Sequence, residues 1–203
     1  DGGRLRDYVR VEKQAITCPS NRGVMRTVSA DGDLQHGLSI SDAIVDEWHV
    51  WKTRKQTELY YAFLTAMQKR ADSMIAKITT AGESRWTLCG EFYADALTWP
   101  SVERLDVLHP GDGCLLVCRN PDAGQLLIWR GAPDDADITD PAVWRACNPA
   151  SWIEDYELAR MARTVPERVF RRLILNQWSD TSDVAITAEQ WDAVHALLAR
   201  DAP

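Results

Sequence analysis

Nowhere in these 203 residues is there a G-x-x-x-x-G-K-[ST] pattern, so the loop that cradles nucleotide phosphates is not encoded in them. The glycines of "HPGDGCLL" lack the Lys-Ser/Thr that would follow and are expected to form a turn. No stretch approaches 18 consecutive apolar residues, which excludes a membrane-spanning helix. Positive charge is short: 23 Lys and Arg face 30 Asp and Glu, the net charge is -7 and the pI about 5.1. That balance excludes nucleic-acid binding by bulk charge, though not through a local basic patch. The five cysteines (Cys18, Cys89, Cys114, Cys118, Cys147) are scattered, and no second pair or His cluster completes a metal site around Cys114 and Cys118. Buried free thiols in a reducing compartment are expected instead. The first residues, "DGGRLRDYVRVEKQ", hold no signal core and no initiating Met, and "ARDAP" closely follows a helical pattern. The chain reads as a fragment cut at both ends.

What is present is the composition of an ordinary globular chain, 45% hydrophobic and long enough to bury a core. Alternation predicts strands over 6–12, 23–30 and 40–46. Leu59, Phe63, Leu64 and Met67 recur at helical spacing, predicting a helix over 57–71 that ends in Gln68, Lys69 and Arg70. "SMIAKITTAG" (73–82) reads as a second buried strand, so strand, helix and strand predict a parallel βαβ unit. Six of the nine prolines fall between Pro100 and Pro149, marking a change of texture near Thr98. There "CLLVCR" and "QLLIWR" joined by "NPDAG" predict a β-hairpin. Asn148-Pro149 punctuates the entry to a helix, and Ser151 with Glu154 fits a capping box before "YELARMAR". Pro166 suits the first turn of a helix with Phe170, Leu173, Ile174 and Trp178 on one stripe. A last helix is expected after Thr187 and Gln190.

The chemistry concentrates in "SISDAIVDEWHVW", where an apolar strand ends in two adjacent carboxylates, Asp46 and Glu47. Ligands of open parallel sheets bind beyond the C-terminal strand ends. Neighbouring strand residues point to opposite faces, so the two acids need not do one job. Asp46 can hold the Mg²⁺ that bridges nucleotide phosphates, through water, while Glu47 orients and deprotonates the attacking water. Alone, an acid pair after three apolar residues also describes a solvated loop start. A second polar strand end sharpens the reading: Thr79 and Thr80 of "KITTAG" follow Glu47 by about 32 residues. By themselves they also fit an ordinary strand-to-loop cap.

Four segments in order resemble the large terminase subunit of tailed bacteriophages, the ATP-driven motor that packages DNA. "TVSADGDLQHGLSISDAIVDEWHVW" is similar to that family's approach to its Walker B acids, and "KITTAG" to its coupling motif. "DITDPAVWRACNPAS" and "VFRRLILNQWSD", with Trp191 shortly after, resemble two later segments. The resemblance implies an α/β fold: a partial P-loop (ASCE-type) parallel sheet with helices, then a small α+β linker subdomain. It divides the chain into 1–97 (part of the ATPase domain), 98–178 (linker with hairpin and helices) and 179–203 (approach to a nuclease domain). It gives Asp46 the metal-associated role and Glu47 the catalytic one, and puts Thr79 and Thr80 at the nucleotide in the coupling motif. ATP and Mg²⁺ are the implied cofactors. Double-stranded DNA, a capsid portal, a small terminase subunit and further copies in a ring are the implied partners, in the cytoplasm of a bacterial host. The family's Walker A would lie upstream and its nuclease acids downstream, so ATPase activity belongs to the full-length protein and this chain alone is expected to be inactive. No nuclease role falls to Asp183 or Asp192. His49 is expected to pack or hydrogen-bond, His36 to sit in a Gly-flanked loop, and Arg171 and Arg172 to face solvent. Arg22 and Arg26 are candidates for a finger reaching a neighbour's phosphate. Two other readings stay open: a superfamily-two helicase, since "DEWH" fits its Asp-Glu-x-His box, and a truncated, non-catalytic assembly piece.

Overall fold

A computed structural model describes residues 7–28 and 40–179 of the chain. The last expected helix, with Thr187, Gln190, Trp191, Asp183 and Asp192, lies outside the described residues, as does His36. The chain divides into two compact units, Asp1–Ala43 with Thr53–Ile75, and Ile44–Lys52 with Ala76–Pro203.

In the first unit, β1 (Arg10–Val11), β2 (Ala15–Cys18) and β3 (Gly23–Arg26) form an antiparallel meander, with Ile16 opposite both Val11 and Met25. β1 and β3 are shorter than the alternation predicts. The β2–β3 turn is fixed by Asn21, whose Oδ1 accepts the Gly23 N–H at 2.8 Å, and Arg22 takes a positive φ of 58°. Helix α1 (Arg54–Met67) starts three residues before the predicted Thr57. Its true start signal is Thr53-x-x-Gln56, a capping box: Thr53 Oγ1 accepts the Gln56 N–H and Gln56 Oε1 accepts the Thr53 N–H. The helix ends at Met67, so Gln68, Lys69 and Arg70 fall beyond its last turn. The Ser73 hydroxyl lies within donating distance of the carbonyls of Met67 and Arg70, the former also accepting the Arg70 N–H. Leu59, Phe63 and Met67 are buried as their spacing predicts, whereas Leu64 is exposed.

Strands β4 (Asp42–Asp46) and β5 (Met74–Ile78) pair in a two-stranded sheet. The Met74 N–H donates to Ser41 O at the starting ends of both strands. At the finishing ends the His49 N–H donates to Thr79 Oγ1, so the strands run parallel, as predicted for two strands joined through a helix. Only Val45 of β4 is fully buried. Ile44, Met74 and Ile78 are exposed, because one sheet face stays open among the described residues. The expectation of wholly buried strands is corrected accordingly.

In the second unit a 3-10 turn, Trp48–Val50, follows β4, and α2 (Leu88–Ala96) begins under the hydroxyl of Thr87. No apolar periodicity in the sequence predicts α2. A Cβ on Gly90 would stand 2.3 Å from the Arg85 carbonyl oxygen, so only glycine allows the helix to start against that backbone. The hairpin is observed as β7 (Leu115–Asn120) and β8 (Gln125–Arg130), and β6 (Ser101–Leu105) extends it to three antiparallel strands. Helices α3 (Pro141–Cys147), α4 (Asp155–Thr164) and α5 (Glu167–Leu173) complete the unit. Asp140 caps α3 and Pro141 opens it, as proline's fixed φ favours.

Several expectations shift here. The α4 capping box is Glu154 with Glu157, not Ser151 with Glu154. Asn148 closes α3 as well as preceding Pro149: its side chain donates to the carbonyls of Trp144 and Ile174. Helix α5 stops at Leu173, so Trp178 belongs to an extended segment, and Leu173 is half exposed. The core gathers Cys114, Trp144, Cys147, Leu158, Phe170 and Leu175. Cys89, Cys114, Cys118 and Cys147 are buried free thiols, as expected. No group of three metal-ligating side chains occurs among the described residues. The chain is thus mixed α/β: a parallel pair, then an antiparallel sheet with helices.

Candidate functional site

The acid pair, the 3-10 turn and the end of β5 meet within the second unit. Asp46 is the last residue of β4 and is exposed. Glu47 follows in a left-handed conformation, φ 48° and ψ 46°, which turns the chain sharply out of the strand. Asp46 supports that turn, its Oδ1 accepting the Glu47 N–H at 2.9 Å. Trp48 then drops into the interior, packing edge-on against Phe92 with ring centroids 5.4 Å apart.

His49 joins the two halves of the site. Its backbone N–H donates to Thr79 Oγ1 at 2.9 Å. Its ring Nδ1 lies 3.1 Å from the same oxygen and 3.3 Å from Glu47 Oε2. Thr79 spends its own proton on Thr80 O, 3.0 Å away. Nδ1 must therefore carry a hydrogen to bond either neighbour, which assigns the Nδ1–H tautomer. Burial lowers the His49 pKa below its usual value; the nearby Glu47 carboxylate opposes this, and Arg172 and Lys52 reinforce it. The His49 ring thus lies between the Glu47 carboxylate and the Thr79 hydroxyl. The His49 side chain is 11% exposed and that of Glu47 62% exposed, so the relay is sheltered and its acid faces solvent.

Thr79 and Thr80, half-buried, sit just past the end of β5, at the same sheet edge as Asp46 and Glu47. The structure therefore brings Glu47 and Thr79 together through His49, while Asp46 touches only the Glu47 N–H and Thr80 contributes its carbonyl oxygen. Arg22 and Arg26 lie in the first unit, in the β2–β3 turn and at the end of β3. Arg172 departs from its predicted solvent-facing role: it pairs with Glu83 at 3.5 Å, and Glu83 also holds Lys52 at 3.5 Å. Arg171 is bonded to Glu167 and to Gln177 Oε1.

Two supporting residues escaped the sequence reading. Lys77, two positions before Thr79, lies 3.5 Å from the Phe92 ring centroid and 4.4 Å from that of Trp48. Burial pushes its pKa down to about 8. Cys89 approaches Thr79 Oγ1 at 4.0 Å, and burial raises its thiol to about 11, so it is a neutral neighbour rather than a nucleophile. The β5 period could have placed Lys77 on the inner face, but nothing in the sequence names its aromatic partners.

A parallel sheet edge that ends in an Asp-Glu pair, with a hydroxyl from the next strand beside it, offers the kind of groups that nucleotide hydrolases place at such an edge. Comparisons with known proteins point in the same direction. Residues 5–96 match the family described as terminase large subunit, ATPase domain. The described fold is similar to the crystal structure of the HK97 bacteriophage large terminase, with a TM-score of 0.59 and 24% identity over 86% of this chain and 34% of that one. The chain thus spans about a third of the length of that protein. No curated protein matches. The resemblance to large terminase subunits is borne out, by the family match over residues 5–96 and by the fold over most of the chain.

Proposed function

We propose that this chain supplies the acid-pair and coupling part of an ATPase that drives the packaging of double-stranded viral DNA, as a large terminase subunit does. The observation that carries the proposal is the His49 bridge, which ties Glu47 to Thr79 across two parallel strands. In this reading 1–97 are part of the ATPase domain, 98–178 a linker subdomain and 179–203 the approach to a nuclease domain. The capsid portal, the small terminase subunit and further copies in a ring are its partners, in the cytoplasm of a bacterial host.

Asp46 fits a magnesium ion of this kind. It is a single exposed carboxylate with one oxygen engaged by a backbone N–H, and Mg²⁺ favours one or two carboxylates plus phosphate and water oxygens over an all-protein cage. When bound, Mg²⁺ would screen the phosphate charges of ATP and the repulsion between the two acids. Glu47 would accept a proton from the attacking water at its carboxylate. His49 holds Glu47 Oε2 and prevents the side chain from swinging away. Thr79, fixed by the His49 N–H, senses that position from β5. The phosphate-cradling loop must come from residues other than these 203, so the chain alone is expected to turn over no ATP.

The test is Glu47→Gln in the full-length protein: ATP turnover should fall by about a hundredfold or more while nucleotide binding is retained. Normal hydrolysis by that variant would remove Glu47 from the chemistry. The helicase reading also draws on the contact between His49 and Thr79. The likeness to a large terminase, which covers 86% of this chain, favours the packaging motor.

A further inference from the structure

The turn that follows Thr79 is gripped from outside its own sheet. Ala81 is fully buried and its N–H donates to Asn176 Oδ1 at 2.6 Å. One residue on, Gly82 O accepts the Ser179 N–H at 3.3 Å. Between these bonds the Trp178 ring lies so close that a Cβ on Gly82 would stand 3.1 Å from it. Residues 176–179 therefore hold both a donor and an acceptor of this turn.

The gripping segment is itself anchored to the hairpin sheet. Asn176 Nδ2 donates to Arg130 O, at the end of β8, at 2.7 Å. Leu175 O accepts the Ala132 N–H at 2.9 Å. Trp178 stacks on Trp129 of β8, planes 8° apart and centroids 5.8 Å apart. Gln177, almost wholly buried, donates to Pro133 O and receives Arg171. Asn176 adopts a positive φ of 51°, a conformation that Asn tolerates better than most residues. One amide side chain thus spans two segments, accepting from the turn and donating to β8.

We propose that Asn176 is a positioning residue that fixes the turn after Thr79, and through it Glu47, to the β8 end of the hairpin sheet, so that the hydrolysis site and residues 175–179 move as one body. Its catalytic consequence rests on the reading of Glu47 as the ATPase base; the mechanical fixation does not.

The test has two arms. In this chain, amide hydrogen exchange at Ala81 should speed up by about tenfold or more in Asn176→Gly, which keeps the positive φ and loses both side-chain bonds. Amides of the β7–β8 ladder should hold their rates. Asn176→Asp keeps an acceptor for Ala81 and loses the donor to Arg130, so it should restore part of the Ala81 protection. Unchanged exchange in Asn176→Gly, or no recovery in Asn176→Asp, would overturn the fixation. In the full-length protein, Asn176→Gly should lower kcat for ATP by about tenfold with KM nearly unchanged. A normal kcat alongside raised Ala81 exchange would overturn the link to hydrolysis. A wild-type protein with no ATPase activity would instead strike the proposed function and leave the exchange result to decide the fixation.

Discussion

Burial would raise the carboxyl pKa of Asp112, yet the N–H groups of His109, Leu108, Cys114 and Val107 converge on it and hold it at about 2. Asp106 does similar work for Gly111 and Gly113 in the same loop. A folded-state value below the ordinary carboxylate range contributes stability that is present above pH about 4 and lost as pH falls toward about 2. Asp112→Asn should therefore lower the melting temperature at pH 7, and the gap from wild type should close below pH about 2, as thermal melts across pH would record. The sequence marked "HPGDGCLL" as a turn, but which carboxylate collects the amides depends on loop geometry that local composition does not encode. His49 shows the same limit. Its place after the acid pair was visible; its bridge to Thr79 requires β4 and β5 to lie side by side. Long-range nitrogen–proton spectra at pH 7 should find its ring in the Nδ1–H tautomer, and the opposite tautomer would dismantle the bridge.

Among the elements, those with strong periodicity or turn chemistry were legible: α1, the β7–β8 hairpin, and strands on either side of α1. Helix α2 was not, because "SRWTLCGEFYADALTW" carries a glycine and no clean apolar stripe, and its start is fixed by Thr87 and a close approach to Arg85. Trp178 continues the stripe of Phe170 and Ile174, which by periodicity alone predicts helix. Tertiary bonds won there: Ala132 and Asn176 draw the chain into an extended path after Leu175. Gly131 makes that path possible. A Cβ on it would meet Asn176 O at 2.8 Å and Leu175 O at 3.0 Å, both rigid backbone atoms. Gly131→Ala should destabilise the chain by about 1–3 kcal/mol, read from denaturant melts. A neutral effect would mean that the 175–176 segment is free to shift.

At the scale of the whole chain, the net charge of -7 sets a limit on what these residues do alone. Anisotropy titrations with duplex DNA at about 0.15 M salt should give binding no tighter than about 10⁻⁴ M, the weak end of non-specific association. Submicromolar binding would reveal a basic surface that the composition hides. The family resemblance was legible at this scale because several modest motifs stood in family order, while no single one was decisive. The conformation of Glu47 has a consequence for the reading of this chain as a non-catalytic piece. Its left-handed φ is one that glycine adopts without penalty and that glutamate adopts at a cost of about 1 kcal/mol. The proposed hydrolysis needs a carboxylate at this position, whereas a non-catalytic piece would gain from losing the strain: Glu47→Gly should stabilise the fold by up to about 1 kcal/mol, read from denaturant melts.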